Sequence, residues 1–285
     1  MATAHTLYRE GKLQEAIEQA LQEVREQPGD AAARAFLAEL LCIQGDFERA
    51  DNQLNTLVTL EPASLLMVNT WRQLIRASQS RKDVYEQSAI PDVIELPSPR
   101  IENALALLLA LKENNAEAIG ECLAKVDANT PEDNQSPFTV SGERVWLRDL
   151  DDVNAGILEV MGANGKYFWV DYNDIRELQL HAPERPLDVI WRKATLVLSN
   201  GTEGEVFVPA IYPNLAGHEL NDQQQLGLAT DWLEQGEVMR GQGLRNWLAG
   251  EEVLSINELE NVSWLACEVD CEVAAEVATA EAGEA

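Results

Sequence analysis

The sequence predicts an α+β protein in which an array of helical hairpins precedes a β-rich domain. Two observations predict this: a 34-residue sequence period near the N-terminus, and a change from helical to alternating hydrophobic periodicity after about residue 142. The 285 residues are 46% hydrophobic, enough for one large or two modest cores. We therefore predict a helical array over residues 1–128, a linker over 129–142, a β-rich domain over 143–267 and an acidic tail over 268–285.

The 34-residue period is seen when "LYREGKLQEAIEQALQEVREQPGD" is aligned with "LCIQGDFERADNQLNTLVTLEPAS". The matching structural positions are Gly11 with Gly45, Ala16 with Ala50, and Pro28 with Pro62. This period is typical of the tetratricopeptide repeat, a helix-turn-helix unit. Glycine permits the left-handed turn after the first helix, alanine permits close packing, and proline ends the second helix. Asp30 and Ser64, also 34 residues apart, are predicted to cap the helices that follow.

The third unit departs from the pattern. Residues 65–77 are predicted to be helical, but "IPDVIELPSP" then interrupts the array with three prolines. A helix is predicted to begin again at Pro99 with Ser98 as its cap, and "NALALLLALKENNAEAIGECLAKVD" predicts a further helix pair without the turn glycine. The sequence thus predicts three to four helical hairpins. Such arrays form concave surfaces that bind peptides or helices, although this array could instead only support the second domain.

The second half of the chain carries strand signals. "DANTPEDNQSPFTVSG" is typical of a linker, and it precedes the strand candidates "GILEVM", "KYFWVD", "ATLVLS", "GEVFVP" and "NVSWLA". Asn200-Gly201 predicts a hairpin turn. We expect a curved antiparallel sheet or a small partial barrel. The tail, "EVDCEVAAEVATAEAGEA", has six acids and no base, a composition typical of disorder.

Charge limits the partners that the chain can bind. The formal net charge is −28, from 49 acids and 21 bases, which disfavours binding of nucleic acid and of anionic membrane surfaces.

The sequence has no run of ~20 apolar residues and no secretory signal, so we expect a cytoplasmic protein. Cys42 and Cys122 lie in helical apolar patterns and are predicted to be core residues. Cys267 and Cys271 have no further Cys or His near them in sequence to form a metal site.

The sequence contains no complete catalytic motif. "GANGKYF" lacks the Walker A residues and is predicted to be a hairpin turn, and "GQGLRN" lacks the third glycine of a dinucleotide fingerprint. "DLDD", residues 149–152, is predicted to be a solvated turn rather than a cation site. An enzyme could be built only on Asp149, Asp151, Asp152, His181 and His218, which fit no known pattern. We therefore predict a non-enzymatic protein with no cofactor and no metal.

One group of residues suggests partner binding. The candidates are Trp191, Arg192, Trp232, Arg240, Arg245 and Trp247. Tryptophan and arginine are the commonest anchors at protein interfaces, and residues 129–285 contain only nine bases. The alternative is that the tryptophans belong to the core and the arginines neutralise nearby acids.

Several segments together resemble a known family. These are "DLDDVNAGILEV", "YFWVDYNDIREL", "RPLDVIWRKATLVLSNGTEGEVFVPAIYP", "LGLATDW" and "RGQGLRNWL", preceded by helical repeats. The combination resembles the ImpE family, also called SciE or TagJ, over nearly the whole chain except the acidic tail.

The resemblance implies a cytoplasmic, non-enzymatic accessory protein of a bacterial type VI secretion system. It implies as partner the N-terminal helix of the small subunit of the contractile sheath, and indirectly the unfoldase that recycles the sheath. A general scaffold that docks another secretion component is the alternative. The resemblance identifies no binding residue.

Overall fold

The computed structural model describes residues 2–94, 96–128, 138–140, 142–215, 217–259 and 261–264. Within these ranges seven α-helices precede residue 129, and a short eighth helix lies in the second half. The helices are α1 Ala4–Arg9, α2 Leu13–Glu26, α3 Ala31–Gln44, α4 Phe47–Leu60, α5 Leu65–Gln87, α6 Pro99–Glu113, α7 Ala116–Ala128 and α8 Asp222–Gln225.

Thirteen strands are described after the helical array. They are β1 Phe138–Val140, β2 Glu143–Arg144, β3 Leu147–Asp149, β4 Ile157–Met161, β5 Tyr167–Asp171, β6 Ile175–Leu180, β7 Trp191–Leu198, β8 Glu203–Pro209, β9 Thr230–Gln235, β10 Val238–Gly243, β11 Asn246–Ala249, β12 Glu252–Ser255 and β13 Asn261–Trp264. An eight-stranded sheet has the order β2-β1-β13-β6-β7-β8-β4-β5, beside a pair β10-β9 and a three-stranded sheet β12-β11-β3. Neighbouring strands pair antiparallel. The predicted α+β fold class is confirmed.

The positions that define the 34-residue period occupy equivalent places in two hairpins, α1–α2 and α3–α4. Gly11 and Gly45 follow the first helix of each pair with φ of 75° and 84°, as predicted. Ala16 and Ala50 are fully buried in the second helices. Those helices end at Glu26 and Leu60, two residues before Pro28 and Pro62.

Two of the three predicted helix caps are present. The Asp30 carboxylate accepts from the backbone N–H of Ala33 at 3.0 Å, and the Ser98 hydroxyl accepts from that of Ile101 at 3.3 Å. The prediction for Ser64 is wrong. Residues Pro62–Ser64 form a 3-10 turn that leads directly into α5, and the Ser64 hydroxyl donates to the carbonyl of Glu61 at 2.7 Å.

Helix α5 is longer than the predicted residues 65–77. It continues to Gln87, and Ser88 follows it in the left-handed conformation with φ of 59°. Its later turns bury Val84 and Tyr85, so packing against the second half of the protein extends the helix beyond its repeat-like part. Asn114, with φ of 51°, takes the place of the turn glycine between α6 and α7.

The assignment of residues 129–142 to a linker needs correction at its C-terminal end. Residues 138–140 form β1, which pairs with both β13 and β2. A three-residue strand is too short for its alternation to be distinguished from the polar segment before it. The tail over 268–285, with Cys267 and Cys271, lies outside the described residues.

One apolar core spans the helical array and the sheet. Residues of α1 to α7 share this core with Ile157 and Met161 of β4, Tyr167 and Trp169 of β5, and Trp191 of β7. A second core lies within the β-rich half.

Cys42 and Cys122 are buried as predicted. None of the described helices combines the length and the apolar character that crossing a bilayer requires.

The segment before α6 covers one edge of the large sheet. Asp92 forms an isolated parallel bridge with Phe168 of the edge strand β5. The Asp92 N–H donates to the carbonyl of Tyr167 at 2.9 Å, and its carbonyl accepts from the N–H of Trp169 at 3.0 Å. Lys166 places its ammonium 3.1 Å from the Asp92 carboxylate. The segment that interrupts the helical array therefore pairs with the edge strand of the sheet.

A buried acid lies where α3 packs on the 3-10 turn Pro186–Val189. Glu39 is 8% exposed, and burial together with the charge of Asp188 raises its pKa to about 7, although Arg185 opposes the shift. Burial and Glu39 in turn raise the pKa of Tyr8. The contact between the array and the β-rich half therefore contains a carboxyl group that titrates near neutrality.

We predict that Gly45→Val lowers the free energy of unfolding by roughly 1–3 kcal/mol, because a β-branched residue is strained at φ of 84°. A Cβ at this position meets nothing within 4 Å, so crowding does not contribute. The matched control is Gly29→Val, which also meets nothing within 4 Å but lacks a positive φ. Urea denaturation measures both, and equal stability of the two variants would contradict the prediction.

We predict that Glu39→Gln stabilises the protein at pH 8 but not near pH 4.5. The folded-state pKa of Glu39, about 7, lies above the unfolded value of about 4.3. The folded state therefore binds more protons between these values, and the contribution of Glu39 to stability falls as the pH rises through this window. The variant should gain about 1–3 kcal/mol relative to wild type between pH 4.5 and pH 8. Chemical denaturation at both pH values checks this, and a difference that does not depend on pH would refute it.

Candidate functional site

The six residues predicted to bind a partner are mostly interior. Trp191, Arg192, Arg240, Arg245 and Trp247 are 3% exposed or less, and only Trp232 reaches the surface, at 38%. Side chains this deeply buried offer at most a small fraction of their surface to a partner in the folded protein. The structure thus corrects this interpretation for five of the six residues and agrees with the alternative of core tryptophans and arginines that face acids.

These residues fall into two places. Arg240 and Arg245 lie in one charged cluster, with Trp247 beside Arg245 at 5.8 Å from the guanidinium to the ring centroid. Trp191 and Arg192 begin β7, where Arg192 donates to backbone carbonyls of Asp188 at 3.3 Å and Ile256 at 3.4 Å.

Glu159 of β4 is the centre of the charged cluster. Its side chain is fully buried, and Arg81 of α5 binds it with two hydrogen bonds of 2.7 and 2.9 Å. Arg245 and the hydroxyl of Tyr167 also donate to this carboxylate. Trp169 continues the network by donating to the Tyr167 hydroxyl at 2.6 Å. One carboxylate therefore joins the helical array to two separate segments of the β-rich half.

The segment Asp149–Asp152 forms the second part of the cluster, and the prediction of a solvated turn is wrong. Asp149 and Asp151 are completely buried. Arg240 Nε lies 2.9–3.0 Å from both carboxylate oxygens of Asp151, and Arg245 Nη1 lies 3.4 Å from Asp149. The Tyr212 hydroxyl lies 2.9 Å from the Asp149 carboxylate.

Local geometry directs these aspartates inward. The Asp149 carboxylate accepts from the N–H of Asp151 at 2.9 Å, and that of Asp151 accepts from the N–H of Val153 at 3.0 Å. Burial raises the pKa of Asp149 and lowers that of Arg245, while their opposite charges act against both shifts. Three arginines and three carboxylates face one another in this cluster, which joins the two halves of the protein.

Sequence reasoning missed Glu159, Arg81 and Tyr212. Glu159 did leave a signal, because it interrupts the apolar strand "GILEVM" at a position that points into the protein. Arg81 and Tyr212 carried no such signal. His181 is bound to Thr195 at 3.0 Å, and the described residues contain no group of three His, Cys, Asp or Glu placed to hold a metal ion.

Two open clefts lie between α5 and the β-rich half. The first, here named the proximal cleft, has a volume of ≈ 380 Å³ and is lined by the α5 residues Met67 to Leu74, the loop 181–188 and strands β7 and β8. The second, the distal cleft, has a volume of ≈ 320 Å³ and is lined by the α5 residues Ser78 to Glu86, the turn between α3 and α4, and the segment 209–214. Both linings mix apolar and polar side chains.

Trp191 is the wall that both clefts share. Its indole N–H donates to the Ser78 hydroxyl at 2.9 Å, and its ring stacks on Phe47 at 6.4 Å between centroids. This contact ties β7 to α4 and α5. Trp191, which the sequence predicted as a partner-binding residue, therefore does lie at the candidate site, where it forms part of the wall of both clefts.

We predict that Asp151→Asn destabilises the protein by about 3 kcal/mol, because it leaves the buried Arg240 without its counter-charge. Adding Arg240→Met should recover part of the loss. The matched control is Asp46→Asn in the exposed Asp46–Arg49 pair, which should change stability by about 1 kcal/mol or less. Denaturant titrations check all three variants, and equal effects of Asp151→Asn and Asp46→Asn would contradict the burial argument.

The chain is similar to known proteins along nearly its whole length. A family model described as "ImpE protein" matches residues 142–263. The type VI secretion system accessory component TagJ of Pseudomonas aeruginosa is 32% identical over 262 residues, which cover 90% of each chain. The crystal structure of protein VPA1032 from Vibrio parahaemolyticus superposes with a TM-score of 0.83 at 30% identity, covering 93% of this chain and 98% of that one. From the fold, the segments around the buried cluster and these matches along nearly its full length, we conclude that this chain belongs to the ImpE/TagJ family.

Proposed function

We propose that the protein is an accessory component of a bacterial type VI secretion system that acts in the cytoplasm by binding another protein. The observation that carries this proposal is the 32% identity with TagJ along 90% of both chains. Identity spread over that length includes the helical array as well as the β-rich half. The proposal therefore concerns the protein as a whole.

We further propose that its partner is the N-terminal helix of the small subunit of the contractile sheath, and that binding modulates sheath assembly or recycling. The ImpE resemblance of the sequence suggests this partner. The two clefts beside α5 support it, because partly apolar grooves between secondary structure elements receive the apolar face of an amphipathic helix.

The buried charged cluster favours a binding role over catalysis. Asp149 and Asp151 are two of the five residues on which an enzyme could be built, and the structure pairs each with an arginine. A catalytic carboxylate has to reach its substrate, whereas both of these are completely buried.

We predict that a peptide of the sheath helix binds the full chain, and that deletion of residues 268–285 leaves the dissociation constant within about threefold. Burying ~400 Å² of apolar surface offers a gross term near 10 kcal/mol, whereas exposed ion pairs offer ~1 kcal/mol or less each. Added salt should therefore mainly slow association with a basic helix. Calorimetry measures the affinity and stopped-flow mixing measures the rates.

Two outcomes would contradict this prediction in different ways. Loss of binding on deletion of the tail would make the tail the docking element. Absence of binding to the full chain at any salt concentration would refute the sheath helix as the partner. A scrambled peptide of the same composition is the control.

A further inference from the structure

Glu39 of α3 is buried where the helix packs on the 3-10 turn Pro186–Val189, with 8% of its surface exposed. The charged groups that act on it from the turn segment are Arg185 and Asp188, and Tyr8 faces it from α1. This contact between the array and the β-rich half thus contains two carboxyl groups and one cation.

The cation of this contact is already engaged. The guanidinium of Arg185 stacks over the ring of Trp71 in α5, at 5.6 Å from the ring centroid. An ionised Glu39 would therefore have to share Arg185 both with this ring and with Asp188. Two buried or half-buried carboxylates that share one cation repel each other.

Asp188 cannot turn away from Glu39 by itself. Its carboxylate accepts hydrogen bonds from the backbone N–H groups of Glu184 at 2.7 Å and of Arg185 at 3.0 Å. These bonds hold the carboxylate within the turn. Repulsion between the two carboxylates is therefore relieved by movement of the turn rather than by rotation of one side chain.

The turn is tied at both ends and held by few contacts in between. The N–H of His181 donates to a carbonyl of β7 at 2.9 Å, and the carbonyl of Ile190 accepts from an N–H of the segment after β8 at 3.0 Å. Of residues 182–189 only Leu187 is buried, and Val189 packs partly against the same core. The segment can thus leave α3 while its two ends stay attached to the β-rich half.

The proton on Glu39 acts on this contact near neutral pH. Burial and the charge of Asp188 raise the pKa of Glu39 to about 7, against an opposing effect of Arg185, whereas a solvated glutamate titrates at about 4.3. The raised pKa means that the closed contact binds the proton more tightly than an open one. Its stability is therefore fully present at low pH and is lost as the pH rises toward 7.

We propose that the contact between α3 and residues 182–189 is a latch controlled by protonation of Glu39. With Glu39 protonated, the turn packs on α3, and when Glu39 ionises, the turn leaves α3. Five residues of the segment line the proximal cleft, so opening of the latch removes one wall of that cleft. This inference goes beyond the proposed function and does not depend on it.

Hydroxyl-radical labelling of the full chain measures the latch, because Leu187, 3% exposed, becomes reactive when the turn leaves α3. We expect labelling of Leu187 in wild type to rise about tenfold between pH 6 and pH 8 and to change little above pH 8. Titration at about 7 in the closed form and about 4.3 in the open form changes the opening equilibrium by that factor. Leu226, 4% exposed in the same core, should keep a constant rate.

Two matched variants identify the group responsible. Glu39→Gln keeps the shape of the side chain but cannot ionise, so labelling of Leu187 should stay low at both pH values. Glu48→Gln removes the same charge from an exposed position on α4 and should keep the wild-type rise. Thermal unfolding checks that both variants are folded, and the wild-type pH series is decisive without them.

Four results would overturn the latch. The first is a wild type in which labelling of Leu187 does not change with pH. The second is an equal rise in Glu39→Gln, which would assign the pH dependence to another group such as His181. The third is an equal rise at Leu226, which would indicate opening of the whole core. The fourth is loss of the rise in Glu48→Gln, which would make it an effect of net charge.

Discussion

The buried carboxylate of Glu159 is the interaction on which the arrangement of the two halves depends. It lies in the middle of β4 without access to solvent, where an unpaired charge would be strongly destabilising. Arg81 reaches it from the helical array, and Arg245 reaches it from the segment before β11. Because removing either arginine would leave a buried charge partly unpaired, the pairing restricts the position of α5 on the sheet. The two clefts follow from that position, since both lie between α5 and the strands.

Much of the fold could be predicted from the sequence, because it is encoded locally. The 34-residue period located the first two helical hairpins, and alternation located β4, β5, β7 and β8. One failure has a local cause and the other depends on contacts between distant segments. Ser64 has the right residue type for a cap, but the 3-10 turn before α5 uses it differently. Helix α5 exceeds its predicted length because it packs on strands that are remote in sequence.

The candidate site was only partly predictable for the same reason. Tryptophan and arginine are enriched both at interfaces and in buried ion-pair clusters, and composition does not distinguish the two environments. Asp149 and Asp151 lie in a polar run that is typical of a surface turn, yet Arg240 and Arg245, about ninety residues later, draw them inside. Trp191 was identified, but its contact with Ser78, 113 residues away, leaves no trace in the local sequence.

Internal pairing also makes the surface more acidic than the composition suggests. Seven of the nine bases in residues 129–285 are engaged within the protein. Five of these seven pair with a carboxylate, which balances their charges locally and leaves the net charge of the chain strongly negative. Such a field repels other copies of the chain and accelerates encounter with basic segments. The net negative charge thus favours collision with a basic partner over collision with another copy of the chain.

The bridge between Asp92 and β5 has a consequence for behaviour in a crowded cell. The unpaired amide and carbonyl groups of an edge strand are a template onto which foreign strands can add, which leads to aggregation. Here Asp92 of the segment before α6 occupies that edge, and Lys166 pairs with its carboxylate beside it. The break in the helical array, which interrupts its solenoid regularity, thereby protects the eight-stranded sheet from open-ended polymerisation through this edge.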